Sequence, residues 1–262
     1  LAIGDTNQDG YKDILFCATS SSGSSYLYYG SAAGFSSTDY DTLDSGYAYG
    51  CEIADLDGDG WPEAILSGNS SSYPHYIYWG DVAGYSTSNR TSLSGNSTTY
   101  GVTTGDYNAD GYTDVFFATY GSGDSYLYYG SASGFSESDR DSIDTYYTFR
   151  AVTTDLNGDG YPDLVAPSSS SYAGVHLGSS SGLSTSADYT LDSINSYNAA
   201  VTDLDGDGYK DIFLPAYSNS SDSKLYWGSA SGWSTTNSDD LSTYYVFAAP
   251  SLITSDKVDR SR

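Results

Sequence analysis

Methionine is absent from the 262 residues, and the chain has only two cysteines, two histidines, six prolines and nine lysines and arginines. Two cysteines are too few for a small disulfide scaffold. Cys17 and Cys51 leave the compartment open, since they fit either a bridge or a pair of buried thiols. The shortage of basic residues leaves 34 acidic ones unbalanced, for a net charge of −25 and a pI near 4.1. A polyanion of that strength repels phosphate backbones and anionic lipid, so nucleic acid and membrane surfaces are disfavoured as partners. No apolar run approaches the roughly 18 residues of a membrane helix, and membrane insertion is not expected. The chain opens on Leu1 within a run that reads as a strand, which suggests a mature or trimmed piece of a longer precursor whose signal peptide is already gone. What is abundant is aromatic: 29 tyrosines among 16% aromatic and 38% hydrophobic residues, enough to bury a core despite long serine tracts.

An internal repeat organises the chain. Five segments share one pattern, beginning at Asp5, Asp55, Asp106, Asp155 and Asp203, so that successive starts lie 50, 51, 49 and 48 residues apart. Each is preceded by a short apolar stretch such as Cys51–Ala54 or Ala199–Val201, and followed by a β-rich run such as Ile14–Phe16, Val115–Phe117 or Ile212–Leu214. A serine-rich turn leads into an alternating aromatic strand (Tyr26–Gly30, Tyr76–Gly80, Tyr126–Gly130, Val175–Gly178, Leu225–Gly228). A more polar fourth segment ends near Leu43, Leu93, Ile143, Leu191 or Leu241. Four short antiparallel strands per period without helical periodicity predict an all-β fold, a β-propeller of four-stranded blades with the apolar first strand innermost. The expectation is one domain over 1–262, with repeats at about 1–47, 48–97, 98–146, 147–196 and 197–243. Thr243–Ala249 aligns with Thr145–Ala151, so a partial sixth inner strand is expected over 244–253. Five blades with a closing or swapped strand is the first reading, and part of a six- or seven-bladed ring the alternative.

The repeated segments have the chemistry of metal loops. Oxygen side chains fall at positions 1, 3, 5 and 9, with a backbone carbonyl at position 7. The first loop offers Asp5, Asn7, Asp9, Tyr11 and Asp13; the second Asp55, Asp57, Asp59, Trp61 and Glu63; the third Asp106, Asn108, Asp110, Tyr112 and Asp114. The fourth offers Asp155, Asn157, Asp159, Tyr161 and Asp163, and the fifth Asp203, Asp205, Asp207, Tyr209 and Asp211. Glycine at position 6 permits the sharp turn, and hard oxygen donors in a flexible loop suit Ca²⁺ better than Mg²⁺. Half of the 34 acidic residues sit in these loops and repel one another without a cation. An EF-hand needs a bidentate Glu at position 12, where this chain has Phe16, Leu66, Phe117, Ala166 and Leu214. About five Ca²⁺ sites of another type are therefore expected.

With these loops, Tyr49-Gly50 and Tyr100-Gly101 before the second and third of them, and Val165-Ala166-Pro167 and Leu214-Pro215 after the last two, the chain resembles the FG-GAP (VCBS-type) repeats of the integrin α-subunit propeller and its bacterial and fungal relatives. Phe149-Arg150 and Asn198-Ala199 depart from the aromatic-Gly half of the motif. The resemblance implies calcium loops in the hairpin between the first two strands of each blade. It also implies a secreted or surface module for adhesion, interaction or structural assembly, with a protein or glycan partner or self-assembly. A glycan-binding lectin, or the propeller of a polysaccharide-active enzyme such as a lyase, is the alternative.

Few other residues suggest chemistry. His75 and His176 lack a recognisable nucleophile or metal partner, and no catalytic residue is assigned. The column Tyr28, Tyr78, Tyr128, His176 and Tyr226 reads as packing between blades, with sugar stacking as the other use of such rings. Trp79, Trp227 and Trp233 look less regular and are the expected recognition residues. Sequons at Asn69, Asn89, Asn96 and Asn219 permit glycosylation. Cys17 and Cys51 are placed on inner strands of adjacent blades, where a bridge requires Cα atoms within about 7 Å.

Overall fold

A computed structural model of the chain describes residues 1–19, 23–69, 72–95, 97–170, 172–192, 194–243 and 245–247. Among the described residues, twenty strands form five separate sheets, each of four consecutive strands paired antiparallel in chain order. The first sheet holds β1 (Ala2–Gly4), β2 (Asp13–Phe16), β3 (Ser24–Tyr28) and β4 (Tyr40–Asp44). The second holds β5 (Cys51–Ala54), β6 (Glu63–Leu66), β7 (His75–Tyr78) and β8 (Arg90–Leu93). The third comprises β9 (Thr99–Gly105), β10 (Asp114–Thr119), β11 (Ser125–Tyr128) and β12 (Arg140–Ile143). The fourth comprises β13 (Val152–Thr154), β14 (Asp163–Ala166), β15 (Ala173–His176) and β16 (Tyr189–Leu191). The fifth has β17 (Ala200–Thr202), β18 (Asp211–Leu214), β19 (Ser223–Tyr226) and β20 (Ser238–Leu241). Among the described residues there is no helix, hence none long and apolar enough to cross a membrane.

Because side chains alternate along a strand, each sheet has two faces. On one face of the first sheet stand Leu15, Leu27 and Leu43, and on the other Ile14, Phe16, Tyr26 and Tyr28. The leucine face packs against Ala64, Leu66 and Tyr78 of the second sheet. The same two faces meet at each later junction: Ile65, Ile77 and Leu93 against Val115, Phe117 and Tyr128; Phe116, Leu127 and Ile143 against Leu164 and Ala166; Val165, Val175 and Leu191 against Ile212, Leu214 and Tyr226. Each fully buried aliphatic side chain in these layers contributes about 1.5–3 kcal/mol. The third-strand tyrosines Tyr78, Tyr128 and Tyr226 have no exposed surface, so at these junctions the column is packing. Their hydroxyls also cross the layers: Tyr78 donates to the Asp44 carbonyl at 2.6 Å and Tyr128 to the Ser94 carbonyl at 2.8 Å.

First strands are neighbours in series, β1 beside β5, then β9, β13 and β17. Among the described residues no contact of like extent returns from β17 to β1. The expected sixth inner strand falls largely outside the described residues. In its described part, Tyr245 and Val246 donate to the carbonyls of Ser218 and Ala216, as Tyr147 and Thr148 donate to those of Gly121 and Thr119. The repeat therefore continues through this entry segment. Cys17 and Cys51 form a disulfide with Cα atoms 5.9 Å apart. Cys51 opens β5 as expected, whereas Cys17 follows β2, a second strand and not an inner one, so the bond ties the second strand of one sheet to the first strand of the next.

Candidate metal loops

All five acidic segments lie between the first and second strands of their sheets. Neighbouring loops touch, for Gln8 donates to the Gly60 carbonyl at 2.7 Å and Thr113 to the Asp55 carbonyl at 3.4 Å. The loops thus share one end of the sheet stack. Position 6 has φ of 90°, 90°, 92°, 91° and 94° at Gly10, Gly60, Gly111, Gly160 and Gly208. Side chains other than glycine's are strained there, which accounts for the invariance of this residue across the five repeats.

Backbone amides aim the acidic side chains. At position 1, one carboxylate oxygen accepts from the position 6 amide at 2.9–3.1 Å in every loop. The position 3 oxygen accepts from the position 5 amide, and the position 5 carboxylate from the position 7 amide. The amides of Tyr11, Trp61, Tyr112, Tyr161 and Tyr209 are engaged in this way. In the second loop Asp55, Asp57 and Glu63, and in the fifth Asp203, Asp205 and Asp211, bring ligand oxygens within 4.8 Å of one another. Oxygens bonded to Ca²⁺ at about 2.4 Å on opposite sides are separated by about that span. Asp59 and Asp207 stand outside these two groups. The other three loops carry Asn at position 3, held by the same hydrogen bond to position 5.

Position 9 has a role the sequence did not disclose. Its carboxylate opens the second strand, is buried in each sheet, and accepts two backbone amides, one from position 2 and one from the glycine closing the third strand. Asp114 illustrates it, taking the amides of Tyr107 and Gly130, each at 2.8 Å. Asp13, Glu63, Asp163 and Asp211 do the same with Thr6 and Gly30, Leu56 and Gly80, Leu156 and Gly178, and Leu204 and Gly228. This strap holds the loop against the third strand, so closely that a Cβ on Gly130 would collide with the Thr113 carbonyl. The glycine that recurs 15 to 17 residues after position 9 in all five repeats is the signal that could have revealed it. Burial pushes the carboxyls of Glu63 and Asp114 up to about 7, against the pull of the two amides and with help from the acids at positions 1 and 3 of the Glu63 loop or 1 and 5 of the Asp114 loop. Clustered side chains that offer only oxygen donors, with the Glu63 and Asp114 carboxyls resisting ionisation without a countercharge, fit a hard divalent cation.

The tryptophans are more regular than expected. Trp79 and Trp227 occupy the repeat position of Tyr29 and Tyr129, and all four donate to the fourth strand: to Thr91, Asp239, Asp41 and Asp141 at 2.7–3.0 Å. Trp233 is buried and donates to the Lys210 carbonyl, as Tyr85 does to that of Pro62. All three brace a sheet. Both histidines are buried: His75 accepts the Gly68 amide at 2.7 Å and stacks on Phe117, and burial lowers its pKa to about 3. His176 pairs with the Ser184 carbonyl, and burial lowers its pKa too. Asn96 lies outside the described residues, while Asn89 and Asn219 are exposed.

At the opposite end of the first strands, aromatic rings join across repeats. Tyr49 meets Tyr100 at 4.7 Å between centroids, Tyr100 meets Phe149 at 4.3 Å, Phe149 meets Tyr197 at 5.4 Å and Tyr197 meets Phe247 at 5.7 Å. These five recur with nearly the period of the loops, though only Tyr49 and Tyr100 are followed by glycine.

An all-β array of equivalent acidic hairpin loops defines a repeat protein whose unit is one sheet with one loop. Residues 5–66, 106–166 and 155–214 match the model of the FG-GAP-like repeat. They span more than half of the chain, which belongs to this family. Among solved structures, the biofilm matrix protein Bap1 of V. cholerae is similar over 85% of this chain and 36% of that one, with a TM-score of 0.51 and 22% sequence identity. At that identity the likeness is one of fold, and the chain spans little more than a third of Bap1. Comparison with curated proteins gave no match.

Proposed function

We propose that the chain is a calcium-stabilised β-propeller module, exported to the cell surface or beyond, that serves adhesion or the assembly of extracellular material. The observation that carries this reading is the set of five equivalent loops at one end of the stack, each with its acidic side chains oriented by backbone amides. Several features agree with export. A disulfide joins the first two sheets and persists in oxidising compartments. Loops of this kind in extracellular modules bind Ca²⁺ at roughly 10⁻⁴ to 10⁻³ M, a concentration found outside cells. Its fold relative Bap1 is a biofilm matrix protein. Two buried, uncharged histidines support a non-catalytic role. The test is thermal unfolding in EDTA and in millimolar Ca²⁺ with titration calorimetry; a higher midpoint in Ca²⁺ and about five sites are expected, and equal midpoints would sink the assignment.

The shared aromatic end favours a second reading, glycan binding. Tyr49, Tyr100, Phe149 and Tyr197 are half-buried and Phe247 is exposed, so ring faces are available for stacking on sugars. A glycan array with the Tyr100→Ala variant as control tests it.

A further inference from the structure

Of the ten asparagines, Asn157 alone is followed by glycine. It stands exposed at position 3 of the fourth loop, and three hydrogen bonds converge on its side chain and on the peptide that follows. The Gly158 amide donates to Asp155 Oδ1 at 2.7 Å. The Asn157 side-chain oxygen accepts from the Asp159 amide at 2.9 Å, and its NH₂ group donates to Asp159 Oδ2 at 3.0 Å. Asn7 and Asn108 make the last two contacts with Asp9 and Asp110. They lack the first: Gln8 and Ala109 follow them, and Oδ1 of Asp5 and of Asp106 takes the position 5 amide instead. Gly58 and Gly206 do donate to Asp55 and Asp203, but in loops whose position 3 is already aspartate.

We propose that Asn157 and Gly158 are a self-modifying pair that converts the fourth loop from three carboxylates to four. The Gly158 nitrogen bonds to the side-chain carbonyl carbon of Asn157 and passes its proton to the Asp155 carboxylate. The bond from that carbon to the NH₂ group breaks, ammonia leaves with the proton, and a five-membered imide remains. Water opens the imide at the side-chain carbonyl to give aspartate in an unaltered main chain, or at the main-chain carbonyl to give isoaspartate. One water is consumed, one ammonia is released and nothing is oxidised. Each contact serves one part of the step. Asp155 receives the proton, the Asp159 amide stabilises charge developing on the side-chain oxygen, and the Asp159 carboxylate holds the departing nitrogen. Glycine at 158, with φ of 78°, puts no Cβ beside the attacking nitrogen. The aspartyl product has the donor set of the second and fifth loops, and a fourth carboxylate raises calcium affinity. Bound calcium restrains the reaction, because it engages the Asp155 and Asn157 oxygens. These two links to calcium rest on the reading of the loops above, whereas the reaction itself does not.

The experiment incubates the whole folded chain for days at neutral pH in EDTA and in millimolar Ca²⁺, with peptide mass mapping that separates asparagine, aspartate and isoaspartate. Melting curves verify the fold, and if EDTA unfolds the chain the comparison is made at the lowest Ca²⁺ that keeps it folded. Asn157 is expected to convert several-fold faster than Asn7 and Asn108, and Ca²⁺ to slow it several-fold. Gly158→Ala, which copies the Asn108-Ala109 pair, and Asp155→Asn, which removes the proton acceptor, should each slow conversion several-fold in EDTA. Titration calorimetry of Asn157→Asp should show one site tightened several-fold with the number of sites unchanged. Conversion of Asn157 no faster than that of Asn7 and Asn108 overturns the proposal. An unchanged rate in Asp155→Asn overturns the part given to the loop, and isoaspartate as the sole product overturns the gain of a carboxylate. Equal rates in the two buffers overturn the restraint where calorimetry finds calcium bound. Where it finds none, the calcium reading fails, and faster conversion of Asn157 still supports the reaction.

Discussion

Replacing Asp114 by Asn separates the strap from the metal site. Asp114 is completely buried, and its two oxygens take the amides of Tyr107 and Gly130. Asn has nearly the same shape but keeps one acceptor and turns an NH₂ group towards the second amide. One charge-assisted hydrogen bond is lost, about 1.5–3 kcal/mol, and a buried N–H is left unpaired at about 1–3 kcal/mol. Part of this is offset, because Asn avoids the desolvation that holds the Asp114 carboxyl at about 7. The expected net loss is about 2–3 kcal/mol, or roughly 5–10 °C in melting temperature for a chain of this size. That loss should appear in EDTA as well as in Ca²⁺. Asp110→Ala is the contrast: Asp110 is exposed and accepts the amide of Tyr112, so its removal should cost less than about 1 kcal/mol in EDTA and substantially more in Ca²⁺. Differential scanning calorimetry of both variants in both buffers decides. Equal melting temperatures for Asp114→Asn and wild type in EDTA would refute the strap.

Cys17→Ser/Cys51→Ser removes a bridge across 34 residues, and chain entropy alone predicts a loss of about 3–4 kcal/mol. Thiol titration of the unreduced protein checks the bond itself, since two reactive thiols after denaturation would exclude it. Glu52 on β5 gives a pH signature: burial pushes its carboxyl from 4.5 to about 7, against the pull of the N-terminal amine and Arg150. The folded state binds this proton more tightly than the unfolded one, so stability present below pH 4.5 is lost as pH rises to about 7. Glu52→Gln should match wild type near pH 4.5 and exceed it at pH 8 by on the order of 2–3 kcal/mol, and a gap that does not change with pH would count against this origin.

Sequence alone determined everything local and repeated. The period near 50 located the five loops, the alternation of apolar residues set four strands per repeat, and the aliphatic residue of each fourth strand stands at or beside that strand's end. Position 6 glycines were legible because a positive φ restricts residue type directly. Only the tertiary structure decided what depends on which sheet neighbours which. Tyr28 and Tyr78 are equivalent in sequence, yet Tyr78 is buried and Tyr28 is not, since burial belongs to a pair of faces and no sheet among the described residues covers that face of the first. Trp79, Trp227 and Trp233 looked irregular as letters, but the hydrogen bonds of their indoles repeat those of the tyrosine hydroxyls at the same positions. The position 9 carboxylates read as ligands because charge and spacing are visible in a sequence. Their second role required knowing that a third-strand glycine 15 to 17 residues away brings its amide against the same oxygens. The disulfide was open for the same reason, because a Cα separation of 5.9 Å is a property of two packed sheets and of no segment within either.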